Sequence, residues 1–271
     1  MSGFLARMAE SARRRARRLH AGGDRGSLEA RALGTKVPPP PDLGGGGFDL
    51  VAEIKPRSPS EGSLAATLSV SRAAARARLY EGAGAVAISV LTEPESFGGS
   101  LEMLGGVAAA TALPVMRKDF LVDPLQVLEA RAWGAAGVLL IVRMLPGDLF
   151  GEMLDAADRV GLFCLVEAFD EQDLERVAAL TAHVGTLLVG INCRNLETLA
   201  VEPTRFERLA PRAPGSWPLV AESGVSDAGG AAAVARMGYR GLLAGTALMR
   251  AVDPAVLIED MLAAGRREAR G

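Results

Sequence analysis

The feature that most constrains this chain is a repeat. Eight times in succession, a short run rich in Val, Ile and Leu is followed by a longer Ala, Leu, Arg and Glu segment with helical period. The short runs fall at 49–55, 85–91, 114–118, 137–142, 162–167, 187–192, 219–222 and 241–245. The helical segments fall at 73–81, 101–110, 124–133, 148–160, 171–180, 204–209, 228–237 and 254–264. Strands that are apolar throughout, without alternation, are buried on both faces, as parallel strands lying between helices are. Eight strand–helix units in one α/β domain fit a closed (β/α)8 TIM barrel better than an open sheet. An open doubly wound sheet is the alternative, but no G-x-G-x-x-G follows the first strand. The chain has 271 residues, 49% of them hydrophobic, enough for one large core. The catalytic barrel is expected over residues 49–271.

Residues 1–48 read as an N-terminal helical extension. Between 4 and 19, Phe4, Leu5, Met8, Ala12 and Ala16 form one apolar stripe among arginines. The run Arg13-Arg14-Arg15-Ala16-Arg17-Arg18 reads as the solvated face of that helix. Gly22-Gly23, Pro38-Pro39-Pro40-Pro41 and the glycines at 44–47 then make a flexible or extended connection.

Charge and rare residues exclude several classes of function. With 30 basic and 32 acidic side chains, the net charge of −2 gives no general attraction to nucleic acid or to an anionic membrane. No apolar stretch reaches ~18 residues and no signal-peptide core opens the chain, so a cytoplasmic protein is expected. Cys164 and Cys193 sit in apolar runs without paired spacing. His20 and His183 are far apart, which leaves little material for a metal site, a disulfide scaffold or a Ser-His-Asp triad.

Polar residues collect at the C-terminal ends of the predicted strands: Glu53 and Lys55, Ser89, Lys118, Glu167, Asn192 and Arg194, Glu222 and Ser223, Thr246. In a (β/α)8 barrel that end carries the active site, and different strands contribute to one pocket. Strand period places Glu53 and Lys55 on one face, Met116 with Lys118, and Leu165 with Glu167. A single charge there would only mark a strand end. Two lysines and three glutamates able to converge imply ion pairing, shifted proton affinities and acid–base chemistry. Gly224 and Gly245 sit at the ends of the last two strands, where the loops of this fold commonly hold phosphate. The alternative for each is an ordinary tight turn. The Ser58-Pro59-Ser60-Glu61-Gly62 loop could cover an anion or simply make a turn. The residues alone thus lead to a barrel that binds a small phosphorylated substrate and moves protons with Lys and Glu.

Six segments name a family. Ala52-Glu53-Ile54-Lys55-Pro56-Arg57-Ser58-Pro59-Ser60-Glu61-Gly62 resembles the first-strand signature of indole-3-glycerol phosphate synthases. Ile88-Ser89-Val90-Leu91-Thr92-Glu93-Pro94 with Phe97-Gly98-Gly99-Ser100 is similar to their second, and Leu113-Pro114-Val115-Met116-Arg117-Lys118-Asp119-Phe120 to their third. Gly190-Ile191-Asn192-Cys193-Arg194-Asn195-Leu196, Ala221-Glu222-Ser223-Gly224 and Gly245-Thr246-Ala247-Leu248-Met249-Arg250 complete the set in order. The resemblance runs from about Asp49 to the C-terminus.

The resemblance implies ring closure of 1-(2-carboxyphenylamino)-1-deoxyribulose 5-phosphate with loss of carbon dioxide and water, in tryptophan biosynthesis. It needs no metal or organic cofactor. By resemblance Lys118 is the general acid at the ketone oxygen, Glu167 the acid and base of dehydration, and Lys55 the partner of substrate anionic groups. Glu53 and Asn192 resemble groups that position the lysines and a substrate hydroxyl, with Glu222 and Ser223 beside the substrate. Arg194 resembles a contact to the substrate carboxylate, Phe97 and Leu196 an apolar wall around its ring, and Ser58, Gly224, Gly245 and Thr246 a phosphate cradle. Two departures lie beside these positions: Glu167-Ala168-Phe169-Asp170 replaces the usual Glu-Val-His-Asp, and Cys193 stands where Asn is common. The rivals are the related phosphoribosylanthranilate isomerase and a catalytically silent barrel acting as a scaffold. The isomerase family places Cys and Asp where this chain has Glu53/Lys55 and Asn192, and intact Lys118, Lys55 and Glu167 argue against silence.

Overall fold

The computed structural model describes residues 3–59, 62–64, 68–180 and 185–269; His183 and the Ser60-Glu61 part of the first loop lie outside them. Eight parallel strands close into a barrel: β1 (Asp49–Ile54), β2 (Ala87–Leu91), β3 (Val115–Lys118), β4 (Gly137–Ile141), β5 (Phe163–Ala168), β6 (Leu187–Asn192), β7 (Leu219–Glu222) and β8 (Gly241–Ala244). The last strand pairs back on the first, with Val51 in register with Leu243. Each predicted run is a strand, with ends shifted by two residues at most.

Twelve helices are described: α1 (Gly3–Gly22), α2 (Arg25–Gly34), α3 (Val70–Gly82), α4 (Pro94–Phe97), α5 (Leu101–Ala108), α6 (Pro124–Ala132), α7 (Leu149–Arg159), α8 (Glu171–Ala178), α9 (Thr204–Leu209), α10 (Ala228–Arg236), α11 (Thr246–Arg250) and α12 (Pro254–Glu268). Their starts follow from local chemistry. Ser69, Ser100, Asp123, Asp170, Asp227 and Asp253 each accept a backbone N–H of the first turn, and Pro124 and Pro254 stand just inside it.

Because strand residues alternate, the barrel carries two cores. Leu50, Ile88, Leu140 and Val166 point outward and pack against the helices. Val51, Met116, Leu139, Phe163, Leu165 and Leu243 point inward and fill the barrel. Size is matched across neighbouring strands. Gly137 of β4 pairs with Phe163 of β5, and a Cβ at 137 would lie 2.4 Å from the Phe163 ring. The ring therefore occupies the volume that the glycine leaves.

Two readings of the N-terminal extension need correction. The connection after α1 is not simply flexible or extended, since Asp24 caps a second helix, α2, at Gly26 N–H. Arg131 of α6 donates to the Ala32 carbonyl at 3.3 Å, fixing that helix to the barrel. The sequence signal was a short helix hidden among glycines, too short to show a period.

The arginine run is not merely a solvated face either. Arg15 forks onto the buried Asp119 at 2.7 and 2.8 Å, while Arg13, Arg14, Arg17 and Arg18 are exposed. Leu5, Met8, Ala9 and Ala12 join the inward-facing core, and Phe4 meets Phe120 edge-on at 5.9 Å. Helix α1 thus lies over the end of β3.

Asp119 also accepts from Thr92 at 2.7 Å and Arg117 at 3.1 Å. Burial alone pushes its carboxyl up, but Arg15, Arg117 and Thr92 outweigh that and hold it well below the usual carboxylate range. A carboxyl so depressed adds stability above its unfolded value near 3.8 and loses it as pH falls. Replacing Arg15 with Met should therefore cost about 2 kcal/mol in urea unfolding at about pH 7. The difference from the parent chain should narrow towards about pH 3, because the depressed proton affinity of Asp119 is part of what is lost. An equal difference at both pH values would show that α1 is held by packing and not by this charge pair.

Candidate functional site

At the C-terminal ends of the strands the barrel opens into a cavity of about 500 Å³. Every residue singled out for the site lines it: Glu53, Lys55 and Ser58 from β1 and its loop, Phe97 after β2, Lys118 of β3 and Glu167 of β5. Asn192, Arg194 and Leu196 come from β6 and beyond, Glu222, Ser223 and Gly224 from β7 and its turn, and Gly245 and Thr246 from the end of β8. Among the polar strand ends, Ser89 alone stays outside it. It is fully buried in register with Glu53, does not line the cavity, and its hydroxyl finds no hydrogen-bond partner.

Lys118 is the centre of the charge cluster. Its Nζ donates to Glu222 Oε2 at 2.8 Å and to Glu167 Oε2 at 3.1 Å, with both carboxylates almost fully buried. Burial is the largest single influence on Lys118 and favours its neutral form. The charges of Glu222, Glu167 and Glu53 together overturn it and raise its proton affinity above the usual lysine value. Lys55 pairs with Glu53 at 2.8 Å across the same floor. Burial, aided by the negative charge of Glu167 and opposed by Lys118, pushes the Glu222 carboxyl up to about 8.

Glycines make room for these acids. A Cβ at Gly245 would lie 2.1 Å from Glu53 Oε1 and 3.0 Å from Lys55 Nζ. Gly245 was expected to open space for phosphate, yet the first group it admits is the Glu53–Lys55 pair. The turn after β7 is built differently. Ser223 and Gly224 adopt φ of 66° and 73°, and a Cβ at 224 would lie 2.7 Å from both Cys193 Sγ and Val201 Cγ1. Only glycine satisfies both the left-handed backbone and that close approach. Cys193 Sγ donates to the Ser223 carbonyl at 3.3 Å, so the thiol at this departure from the family pattern ties the ends of β6 and β7 together. Burial pushes that thiol up to about 11.

The helix starts that follow β7 and β8 are not equivalent. Asp227 already caps α10, accepting from Gly230 at 2.8 Å, whereas α11 begins at Thr246 with no side-chain cap. Asn192 Oδ1 accepts the Arg194 N–H at 2.9 Å, and the Arg194 guanidinium donates to the Leu199 carbonyl at 2.8 Å. Both side chains therefore brace the loop after β6 as well as facing the cavity. Phe169, the other departure, joins the buried cluster beneath the Arg143 guanidinium at 4.5 Å and does not line the cavity.

Sequence reasoning missed part of the apolar wall. Phe120 sits 5.9 Å from Phe97, and Phe4 of α1 and Leu199 also line the cavity. Phe120 could have been found, since it follows Lys118 by two residues. Phe4 could not, because its role depends on where α1 docks. Arg250, at the end of α11, adds a cation to the wall.

The family model of indole-3-glycerol phosphate synthase matches residues 44–261. An indole-3-glycerol phosphate synthase of Nocardioides sp. is 46% identical over 230 residues, which is 83% of this chain and 86% of that protein. One from Mycobacterium avium is 42% identical over 241 residues, 88% of this chain and 86% of its own length. Among solved structures, 3-hexulose-6-phosphate synthase from Salmonella typhimurium superposes with a TM-score of 0.63 at 12% identity, covering 81% of this chain and 99% of that one. A thiamine phosphate pyrophosphorylase from Pyrococcus furiosus gives 0.57 at 16%, covering 83% and 98%; likenesses this remote show the barrel alone. With a family match across most of its length and relatives this similar, the chain belongs to the indole-3-glycerol phosphate synthase family.

Proposed function

We propose that residues 49–271 form the catalytic barrel and that its cavity performs the family's ring closure with Lys118 as general acid. The observation that carries this reading is the Lys118 ammonium held in a buried site by Glu167 and Glu222. The substrate, 1-(2-carboxyphenylamino)-1-deoxyribulose 5-phosphate, has an aromatic end, a ketone and a phosphate, and the cavity offers a matching surface to each.

The aromatic ring packs against Phe97, Phe120 and Leu196, with Arg194 turned to its carboxylate. Lys118 gives its proton to the ketone oxygen as the ring carbon attacks. A cation already positioned in a dry pocket stabilises the developing negative oxygen without reorganising water. Carbon dioxide then leaves and restores electrons to the ring. Glu167 removes a proton and Lys55 helps the hydroxyl depart as water, completing the indole. Glu53 holds Lys55 in place throughout.

The phosphate is assigned to Ser58, Gly224, Gly245 and Thr246. These positions stand above β7, β8 and β1, which are adjacent in the barrel. The open start of α11 supports that end of the cavity. A reducing cytosol is the assigned location, a reading supported by the two free, buried cysteines; no described helix is long and apolar enough to cross a membrane.

Fluorescence of the indole product tests the activity directly. Lys118→Ala should lower turnover by at least ~10²-fold with a much weaker effect on substrate affinity, and near-normal turnover with chemistry rate-limiting would remove the assignment. Glu167→Gln keeps size but not proton exchange. Rapid quenching should then reveal a decarboxylated, still hydroxylated intermediate, whereas equal slowing of carbon dioxide release and indole formation would contradict the role. For the phosphate, Gly245 is a poor probe because a side chain there strikes Glu53. Thr246→Val should instead weaken a phosphorylated substrate analogue about tenfold by calorimetry and leave its dephosphorylated form unaffected. An unchanged preference would place the phosphate elsewhere.

A further inference from the structure

On the cavity floor one buried carboxylate oxygen accepts no hydrogen bond. Glu222 Oε2 accepts from Lys118, but Oε1 is enclosed and has no hydrogen bond. The space it occupies is the missing side chain of Gly190. A Cβ at 190 would lie 2.0 Å from Glu222 Oε1 and 3.1 Å from its Cδ. Gly190 also stands in register with Glu167 on β5, between the strands that carry the two acids.

Charge counting explains why the lone oxygen matters. Glu53 is balanced by Lys55, and Lys118 by one of its two carboxylates, so one negative charge remains in the cluster. A buried, unpaired charge is costly, and binding one proton removes it. The charged groups that act on Glu222 are Lys118 from β3 and Glu167 from β5, whose carboxyl lies within hydrogen-bonding reach, and Asn192 stands in register beside it on β6. None of these donates a hydrogen bond to Oε1, so a proton held there would have Glu167 as its nearest acidic neighbour.

We propose that Gly190 is a positioning residue, whose missing side chain lets Glu222 lie beside Glu167 so that the two carboxyls hold Lys118 and share a single proton. The rise of the Glu222 carboxyl to about 8 agrees with this geometry. The functional consequence rests on the assignment of Lys118 as the acid. With both carboxyls ionised, Lys118 would face them and Glu53 together and release its proton reluctantly. The shared proton removes one of those negative charges.

The direct test needs no turnover. Carbon-13-labelled glutamate in the intact chain should show one carboxyl titrating near pH 8, present in the parent and absent in Glu222→Gln. If all glutamates titrate in the ordinary range, the shared proton does not exist and the proposal falls, whatever the reaction is. The positioning role is tested by Gly190→Ala alone and with Glu222→Asp, which draws the carboxyl back by one methylene. The single variant should lose at least about tenfold in kcat, with KM changed less, and the pH profile of kcat should shift. The double variant should recover thermal stability and part of that loss. If Gly190→Ala fails to fold but the double variant folds, the collision is with Glu222 and the proposal stands. A folded Gly190→Ala with an unchanged pH profile, or stability that Glu222→Asp does not restore, would reduce Gly190 to ordinary packing and overturn it. Failure of ring closure in the parent chain would remove the assignment of Lys118 and leave the carboxyl titration to be judged separately.

Discussion

An ammonium held by two buried carboxylates is the constraint around which the upper half of this barrel is arranged. Lys118 cannot be desolvated without partners, and Glu167 and Glu222 cannot be desolvated without it. The three come from β3, β5 and β7, strands that do not touch one another in the sheet. Only closure of the barrel brings their inward faces together. The fold therefore supplies what local sequence cannot, a single point at which side chains from alternate strands meet.

That convergence requires space as well as direction. A barrel of eight strands is just wide enough for side chains to fill. Where a large group points inward, a neighbouring strand gives way: Gly137 beside Phe163, Gly190 beside Glu222, Gly245 beside Glu53. The same device serves two ends. Low in the barrel it packs an aromatic ring and contributes stability. At the mouth it admits carboxylates whose burial costs stability and, at Glu222, raises proton affinity. The boundary between the two is close to one layer of side chains, since Leu165 belongs to the core and Glu167, two residues on, lines the cavity.

Much of this was legible beforehand because it depends on periodicity and motif order. Strands buried on both faces show as unbroken apolar runs, and the helices between them as Ala, Leu, Arg and Glu segments of helical period. Polar strand ends marked the cavity, except at Ser89, which is fully buried and does not line it. What stayed hidden depends on register between strands distant in sequence. Nothing in Gly245-Thr246 says that the glycine is filled by Glu53, about 190 residues earlier, because that contact exists only when β8 closes on β1. Helix α2 was missed for another reason. Its ten residues hold one buried side chain, too few to leave a periodic trace.

The N-terminal extension joins the same logic through one peptide bond. Asp119 follows Lys118, and its carboxylate is gripped by Arg15 from α1, Arg117 from β3 and the Thr92 hydroxyl after β2. Arg117 in turn reaches Glu129 at 2.8 Å and the Gln126 carbonyl at 3.0 Å, both on α6. The backbone beside the central lysine is thus fixed from outside the barrel by elements that approach from three directions. Inside, its side chain is fixed by carboxylates. A side chain with as many rotatable bonds as lysine gains little from good partners if its Cα wanders, and it gains as little from a fixed Cα if its ammonium is free. Here both ends are held. The outer anchor brings with it Phe4 and Phe120, so the contact that steadies Lys118 also walls the cavity that its ammonium lines.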